Sequence, residues 1–350
     1  MTKITDDTSQ VENSGFYIQW HFLESCNLRC RHCYQEDYKA QPVPVAQLDV
    51  IYAELSKAIS TWKKNGRISL TGGEPFLEFE KLLHLLNKIE KDKAFYWAGI
   101  LSNGTLIDDK KIAKLTKFKK LKEVQISIDG GTEQVHDLMR GKGSFSKAIN
   151  GLEKLISVGI PTAVMFTLNQ ENAGSVADII DLADRMGIDA LTIERYTPLG
   201  NSDSDQLKLS ADRLKEIYEQ IKQKKKQIES SGRKLKIRTS RPLWHLIDES
   251  LGGFCPVGYS SLCIMHDGTA YPCRRLPIPI GNVLNDGIFK IWYKSDILWN
   301  IRRKNRMTSS CGTCEDLGRC GGCRAAAYAE NGDYLAQDPL CWKYKTGESQ

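Results

Sequence analysis

Residues 23–35 read LESCNLRCRHCYQ and contain three cysteines, Cys26, Cys30 and Cys33, in the spacing Cys-x3-Cys-x2-Cys. Three thiolates in so short a loop can hold three irons of a [4Fe–4S] cluster and leave the fourth iron open. Because such clusters normally take four cysteines, the missing ligand indicates that another molecule binds that iron. The spacing alone also fits a zinc site or free thiols.

Around this loop, segments typical of strands and helices alternate from residue 16 to about residue 240. Runs rich in branched and aromatic residues predict six strands, at 16–23, 67–70, 94–102, 121–129, 160–168 and 189–196. Helical periodicity follows each of them, at 45–64, 78–91, 108–118, 144–157, 174–186 and 210–229. This alternation predicts an α/β fold with a parallel sheet, and six units predict a partial (β/α)6 TIM-like barrel.

A second motif, TGGEP at residues 71–75, follows the second predicted strand. Its glycines allow the backbone to approach a ligand closely, and the Glu74 carboxylate can accept hydrogen bonds from an ammonium group. Asn103, Ser127 and Asp129 lie at the ends of the third and fourth predicted strands. Because active sites of parallel βα barrels lie at the carboxyl ends of the strands, we expect all these residues to converge near the cysteine loop.

Eight more cysteines lie between residues 255 and 341, which brings the total to eleven. An odd number excludes complete disulfide pairing, and clustered cysteines in a reducing compartment are typical metal ligands. After about residue 240 the chain has few periodic apolar segments, so metal ligation would supply the missing stability. Two CxxC pairs fit a zinc ribbon, whereas eight cysteines fit two four-thiolate sites more naturally. The predicted parts are a polar segment 1–15, a barrel 16–240 and a cysteine-rich domain 241–350.

The net charge of +6 raises the question of a nucleic-acid partner. The basic residues are dispersed, however, and the densest run, KQKKK at 222–226, lies in a predicted helix, where it indicates a solvated face. The polar N-terminus does not resemble a secretory signal, and no run of 18 apolar residues occurs. We therefore expect a cytoplasmic protein without a nucleic-acid or membrane partner.

The motifs CNLRCRHC and GGEP resemble the two signatures of the radical S-adenosylmethionine (SAM) enzymes. The resemblance implies that Cys26, Cys30 and Cys33 hold a cluster whose open iron is chelated by SAM. An electron from the cluster would then cleave SAM to a 5′-deoxyadenosyl radical that abstracts hydrogen from the substrate. The implied SAM-binding residues are Gly72, Gly73 and Glu74 for the methionine ammonium, Ser127 for the ribose or methionine, and Arg140 for the carboxylate. His32 stands where an aromatic residue often packs on adenine, and it can also stack.

The C-terminal cysteines resemble the SPASM extension, which carries two auxiliary [4Fe–4S] clusters. The resemblance implies that the first auxiliary cluster is held by Cys255, Cys263, Cys273 and Cys323. It implies that the second is held by Cys311, Cys314, Cys320 and Cys341. Sulfatase-maturing members have an acidic residue where this chain has Arg274, followed by Arg275. The two arginines are expected to meet a substrate carboxylate or a cluster sulfide, or else to be exposed.

These resemblances imply a radical SAM oxidoreductase or maturase with three [4Fe–4S] clusters and a flavodoxin- or ferredoxin-type electron donor. The leading expectation is oxidative modification of an unactivated C–H position in a ribosomally synthesised peptide, by a thioether, C–C or related crosslink. A peptide would need a separate carrier or recognition by the barrel itself. The alternatives are oxidative decarboxylation or cleavage of tetrapyrrole propionates, sulfatase-type protein maturation and, from another class, a zinc-binding nucleic-acid protein. Radical SAM enzymes that cleave propionates have openings and endings similar to QWH…CNLRCRHC and GGCRA…DPLC.

Overall fold

The computed structural model describes residues 15–35, 38, 42–200, 204–253 and 255–344. Its first part consists of β1 (Phe16–His21), α1 (Val45–Thr61), β2 (Gly66–Thr71), α2 (Phe79–Lys91), β3 (Phe95–Ser102), α3 (Asp109–Leu115), β4 (Leu121–Ser127), α4 (Glu133–Arg140), α5 (Ser144–Ser157), β5 (Thr162–Leu168), α6 (Val176–Arg185), β6 (Ala190–Arg195), α7 (Ser204–Leu207), α8 (Ala211–Ser230) and β7 (Lys236–Arg238). Its second part consists of β8 (Ser261–Ile264), β9 (Thr269–Tyr271), β10 (Gly281–Asn282), α9 (Val283–Lys294), α10 (Asp296–Arg302) and α11 (Arg324–Asn331).

Apolar periodicity explains these elements. In α5, Ala148, Leu152 and Leu155 recur at the helical spacing and are fully buried. Helix α3 is preceded by Asp108, whose carboxylate accepts a hydrogen bond from the Lys111 backbone N–H at 2.8 Å. This N-cap satisfies one of the backbone donors that the first turn of a helix leaves free.

The strands form one sheet in the order β10-β9-β8-β1-β2-β3-β4-β5-β6-β7. Strands β1 to β7 pair in chain order, each parallel to the next, so that their carboxyl ends share one edge. The predicted α/β class and parallel βα core are therefore confirmed. Three elements of this core were not predicted: β7 and the four-residue α7 are too short to show periodicity, and the eight-residue α4 lies in a polar, charged stretch. The helices and strands after residue 240 were not predicted individually.

The cysteine-rich part extends the same sheet. Strand β8 pairs in parallel with β1, with Tyr17 opposite Ser261 and Trp20 opposite Ile264. On the helical side, the ring of Phe16 lies 5.0 Å from that of Trp62 and 5.0 Å from that of Trp292. The two predicted domains thus share a core, and the boundary near residue 240 stays a prediction. In the part of the chain that the structure describes, no helix has the length and apolarity needed to span a membrane.

Candidate cluster and SAM site

The cysteine loop is fixed to the loop that follows β2 by direct backbone hydrogen bonds. The Gly73 N–H donates to Leu23 O at 3.2 Å, and the Glu74 N–H donates to Ser25 O at 2.9 Å. A Cβ on Gly73 would lie 2.1 Å from Ser25 O, and one on Gly72 would lie 2.2 Å from Leu23 O. Only glycine therefore allows these two loops to approach so closely.

Glu74 is fully buried, and its carboxylate joins the ends of β2 and β3. One oxygen accepts from the Phe76 N–H at 3.0 Å and the Ser102 hydroxyl at 2.8 Å, and the other accepts from the Asn103 N–H at 2.7 Å. Burial raises the pKa of Glu74, and these hydrogen bonds oppose that effect. The chain itself uses three of about four acceptor positions, so contact with a SAM ammonium stays a prediction.

The thiols of Cys26, Cys30 and Cys33 are free, half-buried and close to one another. Burial raises the pKa of Cys30 to about 12, the thiols of Cys33 and Cys26 add to this, and Arg140 opposes it. The Asn103 amide nitrogen lies 4.0 Å from Cys26 Sγ, and Arg140 Nη1 lies 3.7 Å from Cys30 Sγ. Three soft donors with N–H groups beside the sulfurs fit an iron–sulfur cluster, whose thiolates such donors stabilise.

The Asp129 carboxylate binds three groups next to the cysteine loop. It is fully buried, it accepts from Arg140 Nε at 2.5 Å and from the Thr167 N–H at 2.7 Å, and it lies 3.3 Å from His32 Nε2. Although burial would raise it, Arg140 and His32 hold the pKa of Asp129 below its usual value. The sequence suggested Asp129 only as a polar strand end, and its partnership with Arg140 was missed.

Of the residues implied for SAM, Arg140 lies directly beside the cysteine loop, and its Nη2 is 3.4 Å from His32 Nε2. Its Nε is occupied by Asp129, so only the terminal nitrogens remain for a ligand. Ser127 is the last residue of β4 and is half-buried at the same sheet edge. The roles predicted for Ser127, Arg140 and His32 stay predictions.

His136, on α4, gives this site a pH dependence. Burial, with Arg140, lowers the pKa of His136 to about 4, and its buried Nε2 has no hydrogen-bond partner among the described residues. Histidine in an unfolded chain titrates near pH 6.5. The stability that the fold gains from keeping His136 neutral is therefore fully present above that pH and declines as the pH falls towards 4. We expect wild type to lose about 1–2 kcal/mol more than His136→Asn between pH 7 and 5. Urea unfolding of the metal-free chain at both pH values measures this, and equal losses would contradict it.

The second thiol region forms two groups. Cys255, Cys273 and Cys323 lie together: burial raises the pKa of Cys255 to about 11, Arg241 opposes this, and the other two thiols add to it. Cys263, in β8, lies near Cys273. The other group lines one cavity and comprises Cys311, Cys314, Cys320 and Cys341. Which cysteines share a cluster stays a prediction.

Single metal ions need a tighter arrangement than clusters do. Within the described ranges, no three His, Cys, Asp or Glu side chains are placed to hold one ion. Zinc needs its sulfur ligands within about 2.3 Å of one point, whereas a cubane spaces its thiolates around four irons.

The Arg274–Arg275 pair is half-buried, so the expected exposed alternative is wrong. Arg275 Nη2 donates to Glu194 at 2.9 Å. The guanidinium of Arg274 lies 4.4 Å from the centre of the Tyr34 ring, and its buried Nε has no hydrogen-bond partner among the described residues. Glu194 was not singled out from the sequence, since it lies inside a predicted strand and its partner is 81 residues away.

Comparisons with known proteins agree with this geometry. The radical SAM superfamily profile matches residues 20–183, and the SPASM iron–sulfur cluster-binding domain profile matches residues 255–315. AdoMet-dependent heme synthase from Nitratidesulfovibrio vulgaris is 30% identical over 93% of this chain and 91% of its own length. Mycofactocin maturase MftC from Mycobacterium ulcerans is 28% identical over 93% of this chain and 87% of its own.

Solved structures share the fold. SuiB from Streptococcus suis bound to S-adenosylmethionine has a TM-score of 0.75 at 18% identity, and the match covers 96% of this chain and 79% of that one. AnSMEcpe with bound AdoMet has a TM-score of 0.74 at 18% identity over 93% of this chain and 94% of that one. The chain belongs to the radical SAM superfamily and is an enzyme with a SPASM domain. Iron–sulfur clusters and SAM are its cofactors.

Proposed function

We propose that this enzyme cleaves SAM reductively and uses the resulting 5′-deoxyadenosyl radical to oxidise an unactivated C–H position in a ribosomally synthesised peptide. The observation that carries this proposal is the contact between Tyr34 and Arg274. Tyr34 directly follows Cys33 of the first thiol group, and Arg274 directly follows Cys273 of the second. A substrate bound beside this contact would lie near both thiol groups. A radical formed at the first group could abstract a hydrogen atom from it, and a cluster at the second group could accept an electron.

The chain's own residues suggest the chemistry of the substrate. Arg274 has a buried Nε without a partner among the described residues, and no carboxylate of the described chain forms an ion pair with it. A planar guanidinium that already stacks on a ring suits a carboxylate, which it can bind through two parallel hydrogen bonds. We infer that the substrate has a carboxylate near the position that is oxidised.

Two groups of relatives support this reading. The maturase MftC aligns over 93% of this chain, which supports a peptide substrate. SuiB, whose fold this chain shares, was also solved bound to the precursor peptide SuiA, which supports a peptide substrate. We further propose that the cysteines named above hold three [4Fe–4S] clusters and that a flavodoxin- or ferredoxin-type protein donates the electron. The peptide would be delivered by a separate carrier or recognised by the barrel itself.

A second candidate is oxidative decarboxylation or cleavage of a tetrapyrrole propionate. The 30% identity to a heme synthase over 91% of that protein favours it, and Arg274 suits a propionate as well as a peptide carboxylate. Sulfatase-type maturation is less well supported, because Arg274 replaces the acidic residue that those members have at this position.

Anaerobic reconstitution tests the cofactor part of the proposal. We expect about twelve irons per chain from three cubane clusters, and 5′-deoxyadenosine when SAM and dithionite are added. About eight irons, or bound zinc, would contradict the ligand assignment. Full iron content without 5′-deoxyadenosine would contradict the activity.

Two substrate arms then separate the candidates. Peptides encoded by neighbouring reading frames are expected to lose two hydrogen atoms per crosslink, detected by mass spectrometry. A porphyrin with propionic acid side chains would instead lose carbon dioxide and two hydrogen atoms per propionic acid, which leaves a vinyl group. One hydrogen atom goes to the 5′-deoxyadenosyl radical, and the other leaves as a proton and an electron that passes to an acceptor. Loss of carbon dioxide from the porphyrin with unchanged peptides would replace the first candidate with the second.

A further inference from the structure

Strand β6 ends in two neighbouring residues of opposite charge, Glu194 and Arg195, and each pairs with a residue of the cysteine-rich part. Glu194 accepts from Arg275 at 2.9 Å, and Arg195 donates to Asp338 through both terminal nitrogens, one of them at 2.9 Å. Glu194 is 9% exposed, and Asp338 is fully buried. Two buried ion pairs therefore connect the barrel sheet to the domain of the auxiliary thiols, and we call these four residues the β6 clamp.

Both outer residues of the β6 clamp lie against predicted cluster ligands. Arg275 is two residues beyond Cys273. Asp338 accepts a hydrogen bond from the Cys323 N–H at 2.7 Å with the same oxygen, Oδ2, that Arg195 contacts. The clamp thus holds the backbone on two sides of the first auxiliary group.

The charges of this region do not cancel. Arg241 also pairs with Glu194, so three arginines face the two carboxylates of Glu194 and Asp338, and one positive charge remains. Arg275 lies two residues beyond Cys273, and Asp338, the partner of Arg195, accepts a hydrogen bond from the Cys323 N–H, so this excess charge adjoins two predicted cluster ligands. Because reduction adds a negative charge to a cluster, a nearby buried cation favours the reduced state.

We propose that the β6 clamp positions the first auxiliary cluster against the barrel and that its excess positive charge raises the reduction potential of that cluster. The proposal rests on the proposed function only in that it needs the first auxiliary cluster to be present. Glu194, Arg195, Arg275 and Asp338 are positioning residues, since they act on the cluster through Cys273, Cys323 and their charge.

Charge-changing variants test this in opposite directions. Arg275→Gln removes a cation and is expected to lower the ratio of reduced to oxidised cluster about tenfold at a fixed solution potential. Glu194→Gln removes an anion and is expected to raise that ratio. Arg275→Lys keeps the charge and is expected to stay near wild type. The matched control is Arg233→Gln, which breaks the Arg233–Asp184 pair; Arg233 is exposed and lies between α8 and β7, at the amino ends of the strands.

The measurement is an EPR-monitored redox titration of the full reconstituted chain. Cys26, Cys30 and Cys33 are replaced by alanine in every variant, so that only the auxiliary clusters contribute. Opposite shifts for Arg275→Gln and Glu194→Gln support the proposal, and a merely structural role would not produce them. Equal potentials, shifts of the same sign, or a comparable shift in Arg233→Gln would overturn it.

The iron content of each variant shows whether its auxiliary clusters are still bound. If Arg275→Gln loses the cluster, Arg275→Lys and Glu194→Gln still report the potential, and their order decides the outcome. Failure of the proposed function appears elsewhere, as a lack of 5′-deoxyadenosine or of substrate conversion in wild type, and the titration is readable in either case.

Discussion

Gly73→Ala is expected to lower the rate of 5′-deoxyadenosine formation at least about a hundredfold in the reconstituted enzyme. The new methyl group would lie 2.1 Å from Ser25 O and 2.4 Å from Glu24 O, so the cysteine loop and the TGGEP loop must separate. That movement breaks the hydrogen bond from the Gly73 N–H to Leu23 O. A displacement of about 1 Å in a reacting geometry is enough for such a loss.

Gly174→Ala is the matched control for this prediction. A Cβ at Gly174 would meet nothing within 4 Å, so the same change there is expected to leave the rate within about twofold. Product is measured by chromatography, with iron content determined alongside. A Gly73→Ala enzyme that keeps its iron and cleaves SAM at the wild-type rate would show that the two loops do not need to touch.

Asp129→Asn is expected to destabilise the metal-free chain by about 3–5 kcal/mol, the usual cost of leaving a buried charge without its partner. Asp129 is fully buried and the Arg140 side chain is 9% exposed, so little water reaches the guanidinium, and no other carboxylate of the described chain forms an ion pair with it. Asparagine keeps an acceptor for the Thr167 N–H, which limits the change to the charge.

Asp109→Asn provides the comparison, because Asp109 forms its ion pair with Lys154 while 83% exposed. Surface pairs of this kind contribute less than about 1 kcal/mol. Urea unfolding at pH 7 compares the two variants with wild type. Similar small losses for both would mean that Arg140 finds another partner when Asp129 is neutral.

Local patterns in the sequence were sufficient for the βα core. The run 94–101 is continuously apolar or aromatic, and the helices between strands have a clear apolar face, so their types followed from periodicity. Strand β7, with three residues, exists because it pairs with β6, and such a tertiary cause leaves no periodic signal. Helix α4 has a high proportion of charged residues, and the packing of His136 and Met139 makes it evident only in the structure.

The residues of the candidate site could be predicted where they form a contiguous motif. They could not be predicted where two charged residues far apart in sequence form a pair. The cysteine loop and TGGEP were readable because their spacing is local. The partnership of Arg195 with Asp338 spans 143 residues, and nothing in either neighbourhood identifies the other. Such pairs need the coordinates, since a buried charge reveals its partner only through folding.

The pairing of β8 with β1 has a consequence for how the enzyme is assembled. Strand β1 carries the cysteine loop at its end, yet one of its two neighbours, Ser261–Ile264, is synthesised more than 200 residues later. Until β8 arrives, β1 is an edge strand with unpaired N–H and C=O groups, and contacts that are distant in sequence form slowly. Strand β1, which leads into the first cysteine loop, therefore keeps one open edge until residues 261–264 of the 350 have been synthesised.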